Sequence, residues 1–360
     1  MLKTLTMLVL IGLLAVTTTA QDSKKSSTRA EIDALIDRVG KTPPDWFKDT
    51  PLNYPKSLDL TWPMKPPPGW DNQKNVGQFV WDVVNPNPNR WREGVKLMHH
   101  LLTLHKDDPD KRERAMLTLC HMYHDLLEDY ARAAFWYRAV GVEKDPTEYA
   151  RSAVILAECY WRLGYRDEAL KLLAKTPPGL MHATLLGSLG ETDRAISMAL
   201  VETNDDPYGS ATLAAADICR LAGRYPEALK HYQTVLDIEV PAKNPNGWLV
   251  RNRNRASANV TAIKAFELFD PKSVPDGKYV ASSQGYEAQV EVTVTMKSGR
   301  IADVAVTKHR EKQFYSAISD TSAKIIAKQS VKGVDTTSNA TITSEAIINA
   351  TAKALAERKK

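Results

Sequence analysis

Cysteine is scarce in this 360-residue chain: there are three, with no two at the short spacings that hold zinc or attach haem. Cys120, Cys159 and Cys219 each sit inside an apolar helical stretch. They are read as small buried hydrophobes, with one disulfide plus a leftover thiol as the alternative. Also missing is any apolar run after residue 20 long enough to span a bilayer. No Gly-x-Gly-x-x-Gly fingerprint occurs, which removes the usual dinucleotide site. Charge is nearly balanced at a net +5, and residues 271–360 carry 14 Lys/Arg against 9 Asp/Glu. A surplus that small is a matter of solubility. No basic stripe interleaved with aromatics exists, so nucleic acid is not expected as a partner.

The start of the chain carries a clear pattern. Lys3 gives a positive opening, Leu5 to Val16 is apolar, and Thr18-Thr19-Ala20 offers small residues before Gln21. Residues 1–20 therefore read as a secretory signal, an uncleaved anchor being the alternative. Either way the protein is expected outside the cytoplasm, periplasmic or extracellular, with any membrane association through partners. At 43% apolar and 25% charged the chain can build ordinary cores, and its length suggests two or three domains. Residues 21–74 read as an irregular segment with a short helical pattern at Ala30–Val39. Proline and tryptophan dominate from Thr42 to Trp91, which forbids long helices and regular sheet interiors. Trp46, Trp62, Trp70 and Trp81 are too costly to leave in water, so a strap packed on the rest of the molecule is predicted. A proline-rich ligand for a recognition domain is the alternative.

A repeat follows. Gly164, Gly190 and Gly223 each stand five residues before an alanine (Ala169, Ala195, Ala228), and Glu128 stands likewise before Ala133. Pro146, Pro207 and Pro241 close three of the units. The alanines are 36, 26 and 33 residues apart, around the 34 of a helix–turn–helix repeat. Glycine relieves the turn, alanine lets helices approach closely, and proline ends the unit. Over Lys111 to Val240 this resembles the tetratricopeptide repeat family. The third unit is short, so its first helix is expected to be clipped. Asn75 to Pro109 reads as a divergent earlier unit and Arg253 to Phe269 as a closing helix, giving an all-α solenoid over residues 75–269. His99, His100, His105, His121 and His124 are the one concentration of ligand-type residues there, read as packing and surface groups and not as a metal site.

After Pro271 the period becomes alternating. Ala288, Val290, Val292, Val294 and Met296 point one way and Gln289, Glu291, Thr293, Thr295 and Lys297 the other, which predicts a half-buried antiparallel strand. Ser298-Gly299 is a turn, IADVAVTKH a returning strand, and Lys278–Ser282 a third strand. Phe314, Ile318, Thr321 and Ile325 repeat at helical spacing, and a last helix is predicted from about Ser344 to Glu357. Residues 270–360 are thus a small α+β domain with an antiparallel sheet, making the chain multi-domain.

Between those two helices lies VDTTSNATITS. Together with the DGKY, GY, SGRI and AVTKH elements in their order, it resembles the FMN-binding domain family over about Asp276 to Leu355. Members include the flavin-carrying C subunit of the sodium-pumping NADH:quinone reductase and its Rnf-type equivalent. The family's string is D-x-x-S-G-A-T-x-T-S, and the resemblance implies that the threonine after alanine is esterified to FMN by a flavin transferase with FAD as donor. Asp335, Ser338, Ala340, Thr341, Thr343 and Ser344 match, so Thr341 is the implied attachment site. Asn339 departs from the family's glycine, yet asparagine visits left-handed backbone readily. Ser338, Thr343, Ser344 and the N–H groups opening the last helix are suited to phosphate oxygens. A Ser/Thr-rich helix cap is what the string alone would suggest. Within the resemblance, Gly285 and Tyr286 lie near the cofactor, Tyr286 being equally readable as a sheet aromatic. His309 and Glu311 are read either as ring contacts or as a solvated strand end. Asn259, Asn339 and Asn349 fall in glycosylation sequons, and a sugar on Asn339 would obstruct the site.

These observations predict an exported FMN protein that carries electrons to and from another redox protein or a membrane electron-transport complex, with a protein ligand docked in the repeat groove. A flavin-free helical scaffold and a flavin-dependent reductase are the competing readings. Colour of the purified protein separates the first, and turnover with a soluble substrate alone the second.

Overall fold

The computed structural model describes residues 29–65, 68–201, 206–243, 247–267, 270–312 and 316–357. The signal segment, Phe269 and Phe314 lie outside the described residues. Among the described residues no helix is long and apolar enough to cross a membrane.

The first helix, α1 (Arg29–Lys41), buries Ile32 and Ile36 and leans on the repeats at α5. An irregular strap then leads to the short α2 (Val76–Phe79), extended by a π-helical turn at Val80–Val84. Trp46 and Trp62 pack as expected, Trp62 being 3% exposed. Trp70 and Trp81 do not: they remain 63% and 49% exposed. Their position explains this, because the Trp70 indole donates to Asp82 at 2.6 Å and Trp81 rims a cavity.

Helices α3 (Trp91–Leu104), α4 (Pro109–His121) and α5 (Tyr130–Val140) open the solenoid. Pairs follow: α6 (Ala150–Arg162) with α7 (Arg166–Leu173), α8 (Leu180–Ser188) with α9 (Thr192–Val201), and α10 (Ser210–Leu221) with α11 (Tyr225–Asp237). The repeated turn position is left-handed in all four units: Gly164, Gly190 and Gly223 have φ of 92°, 84° and 76°, and Glu128 has φ 52°. Glycine recurs there because a Cβ is penalised in that region. Ala133, Ala169, Ala195 and Ala228 are fully buried where partner helices approach. The clipped unit shows as α8, nine residues against thirteen in α6. A π-helical turn at Met122–Leu126 prolongs α4.

Helix α12 (Gly247–Glu267) starts earlier than expected and packs on α11, on strand β1 (Gly277–Gln284) and on the last helix. The sheet is antiparallel, β1–β2–β3, with β2 at Gln289–Lys297 and β3 at Arg300–Lys308. Val290, Val292, Val294 and Met296 are buried, as the alternation requires. Ser298 and Gly299 both take positive φ, the two-residue hairpin turn that follows strand twist. Helix α13 (Ala317–Lys328) and helix α14 (Thr341–Ala356) complete the module, α14 lying across β1 and β2.

Two hydrophobic cores result. One runs through the strap and the earlier repeats; the other joins α10, α11 and α12 to the sheet and α14. The expected boundary at residue 270 therefore carries no break in packing.

Candidate functional site

The loop 335–340 runs from α13 into α14 and lies against the repeats. Helix α14 begins at Thr341, three residues earlier than the sequence suggested, so Thr341 is its first residue. Ala340 stands at the cap position and has no side chain that could hydrogen-bond the opening turn. The first N–H groups of α14 are thereby left for a ligand, and the helix dipole favours an anion there. Asn339 has φ 60°, left-handed backbone that asparagine tolerates.

Thr341 is half-buried, and its hydroxyl makes no hydrogen bond among the described residues. It borders a cavity of about 710 Å³ between the module and the repeats. That size lies within the roughly 300–1,000 Å³ of small-molecule and cofactor sites. Val154 and Ile155 of α6, and Leu180 and Leu185 of α8, give one apolar wall. Ser338 to Thr343, Tyr286, Glu287 and Glu311 form the other, with Trp81 and Trp248 at the rim. Arg251 lies 4.7 Å from the Trp248 ring centre and 4.1 Å from that of Tyr286, clamping the two aromatics beside the opening.

The structure sorts the residues singled out in the sequence. Ser338, Asn339, Ala340, Thr341, Thr343 and Tyr286 border the large cavity. Thr343 is buried and donates to Glu311 at 2.6 Å, and Glu311 also accepts from the backbone N–H of Tyr286 and Glu287. Gly285 does not border the cavity; its role is spatial, because a Cβ there would sit 2.7 Å from Glu311 Oε1 and 2.8 Å from the Ala288 carbonyl. Ser344 is buried away from the opening, accepting from Thr321 Oγ1 and the Thr337 N–H, both at 3.0 Å, so it shapes the loop from behind. His309 is exposed just past β3 and borders neither this cavity nor the smaller one, since the chain turns there and brings Glu311 inward instead. Asp335 faces a smaller cavity of about 190 Å³ that Thr341 also borders, together with Asp217, Arg220, Arg255 and Glu345.

Sequence reasoning missed the repeats' share. Asp125 accepts from the Asn339 amide at 2.9 Å, and Glu158 accepts from the Ser338 hydroxyl at 2.5 Å. Arg162 and Ser188 hold Asp335 at 3.2 and 3.1 Å. Behind them His124 is buried, its Nδ1 at 2.6 Å from Asp125 and its Nε2 at 3.4 Å from Glu158. Burial works against its charge, but the two carboxylates outweigh it and push the imidazole up to about 10. Burial likewise opposes ionisation of Glu158, yet His124, Arg162 and Ser338 hold it at about 2. For Asp335 burial prevails over Arg162 and Lys324 and raises it. The histidine concentration in α3 and α4 was the one sequence signal near this network.

Asn259 and Asn349 are buried against each other, the Asn349 amide donating to Asn259 Oδ1 at 2.6 Å, so neither sequon has room for a sugar in the folded chain.

Residues 285–356 match the FMN-binding domain family and residues 211–245 the tetratricopeptide repeat family. The chain carries an FMN-binding domain behind tetratricopeptide repeats. An uncharacterized protein of Treponema pallidum (strain Nichols) is 38% identical over 109 residues, which span 30% of this chain and 30% of that one. No solved structure matches. The residues present fit FMN: an unengaged threonine hydroxyl and an uncapped helix start suit its phosphate, and an apolar, aromatic-rimmed cavity suits its ring system.

Proposed function

We propose that this chain is an exported electron carrier holding FMN through a phosphodiester to Thr341. One observation carries the reading: the Thr341 hydroxyl is half-buried, unengaged among the described residues, and opens onto the cavity at the start of α14. In the attachment step a flavin transferase directs Thr341 Oγ onto the FMN-side phosphorus of FAD. The new O–P bond replaces the pyrophosphate P–O bond, AMP departs, and the hydroxyl proton goes to the transferase or to water. FMN bound there supplies one- or two-electron exchange. The N–H groups opening α14 would hold its phosphate oxygens, Glu311 orients the Gly285–Tyr286 turn, and the walls from α6 and α8 would exclude water from the ring system. In this reading the partner is a redox protein or a membrane complex that meets the aromatic rim of the cavity.

The test is intact mass of protein co-expressed with a flavin transferase. The expected gain is one FMN less water, absent in Thr341→Ala and retained in Thr341→Ser. An unshifted mass with colourless protein would leave the helical scaffold as the better reading.

A further inference from the structure

The helical repeats lie in the flavin site as much as the FMN-binding domain does. The first helices of three successive pairs, α6, α8 and α10, line the cavities against the module, and the π-helical turn after α4 reaches its loop through Asp125. Such turns are frequent at functional sites because they push a side chain out of helical register; here the turn carries His124 and Asp125. Asp125 and Glu158 reach past the helix surface to consecutive residues of the acceptor loop, Asn339 at 2.9 Å and Ser338 at 2.5 Å. Arg151 approaches the Asn339 side-chain oxygen from α6 at 3.5 Å. The loop held in this way contains Asn339, a non-glycine residue with φ 60°.

The geometry points to Asp125 and Glu158 as positioning residues for flavin attachment: the repeats clamp Ser338-Asn339 so that the left-handed turn presents Thr341 to the incoming flavin phosphate. This rests on Thr341 as the acceptor. Left-handed backbone disfavours a residue with a Cβ, and a charge-assisted hydrogen bond from the Asn339 amide to a buried, ion-paired Asp125 offsets that cost. The repeats then do for asparagine what a glycine would do unaided. His124 keeps both carboxylates charged and in place without touching the loop.

The experiment uses the full chain with one flavin transferase and FAD, following FMN gain by intact mass over time. Asp125→Ala should slow attachment roughly tenfold at saturating FAD, the population cost of an unassisted left-handed residue, with the KM for FAD unchanged. Adding Asn339→Gly should restore the rate to within about threefold, because glycine needs no clamp. A role in stability alone would not be rescued by that glycine, so an unrescued loss overturns the proposal. So does attachment to Asp125→Ala at the unmutated rate. Should Asp125→Ala fail to fold, Asn339→Ala removes the same hydrogen bond and leaves the buried ions intact. It is expected to be slow where Asn339→Gly is fast, and equal rates for the two overturn the clamp. An unmutated chain that gains no FMN overturns the Thr341 reading and the clamp together, whereas modified wild type with unaffected variants overturns the clamp alone.

Discussion

His124 should make the stability of this protein fall on the alkaline side well before lysine or tyrosine titrates. Its imidazole is buried between Asp125 and Glu158 and is pushed up to about 10, against 6.5 for an unperturbed histidine. Between those two values the folded chain keeps a proton that the unfolded chain has lost. Stability therefore declines with pH across that window and is fully present below about 6.5. At ~1.4 kcal/mol per pH unit the window corresponds to about 5 kcal/mol, an upper figure for a group this buried. The depressed Asp125 and Glu158 are the same interaction seen from the carboxylate side and add nothing to it. For a chain whose total stability is on the order of 5–15 kcal/mol, that is a large share.

The perturbation is His124→Gln, and the assay is urea denaturation at pH steps from 6 to 10. At pH 6 the variant leaves Asp125 without its buried partner and Glu158 with Arg162 as its remaining cation, and should lose about 3–5 kcal/mol. The unmutated protein should then descend with pH while the variant stays level, the two converging near pH 10. Parallel curves across the window would refute the argument, because they would mean that His124 is already neutral when folded.

Two further changes test other parts of the site. Gly285→Ala places a methyl 2.7 Å from Glu311 Oε1 and 2.8 Å from a backbone carbonyl, so it should destabilise by about 1–3 kcal/mol and lower the melting temperature. A melt unchanged from wild type would show that the turn yields freely. Burial, with Glu345 nearby, pushes Asp217 up to about 7, so the folded chain retains a proton that the unfolded chain sheds above about pH 4. Stability should fall between pH 4 and 7, and Asp217→Asn should flatten that limb in the same denaturation series.

Much of this was legible from local pattern. Strand β2 announces itself by strict alternation from Val290 to Met296, and Ser298-Gly299 by turn chemistry. The repeats show through glycines at a left-handed position, and the same backbone under Glu128 shows that geometry, not composition, is what recurs. Asn339 reads as left-handed and is so. What could not be read is juxtaposition across distance. Asp125 and Glu158 are more than 170 residues from the loop they grip, and nothing in a helical repeat marks an inward carboxylate. The exposure of Trp70 and Trp81 has no local signature, because the cavity mouth that Trp81 rims forms only in the folded chain. For His309 the sequence left a ring contact and a solvated strand end open; it is exposed, while Glu311 two residues on is buried.

The shared second core gives a prediction about where this molecule can be cut. Sequence composition changes at residue 270, which invites excision of the FMN-binding domain there. In the structure Tyr232 and Phe266 of α11 and α12 share one buried cluster with Val290, Val292 and Ile347 of the module. Across the same interface Arg255 binds Glu345 at 2.9 Å, with Asp217 on its other side. Cutting at 270 exposes that apolar face to water and removes the Arg255–Glu345 ion pair that spans it. A fragment of residues 270–357 should therefore melt without a cooperative transition, whereas residues 206–357, which add α10 to α12, should melt sharply. Equal cooperativity for both fragments would refute the shared core. The same arrangement bears on the proposed partner: α6, α8 and α10 line the cavities against this chain's own FMN-binding domain, so the redox partner proposed above is expected at the rim formed by Trp81, Trp248 and Tyr286.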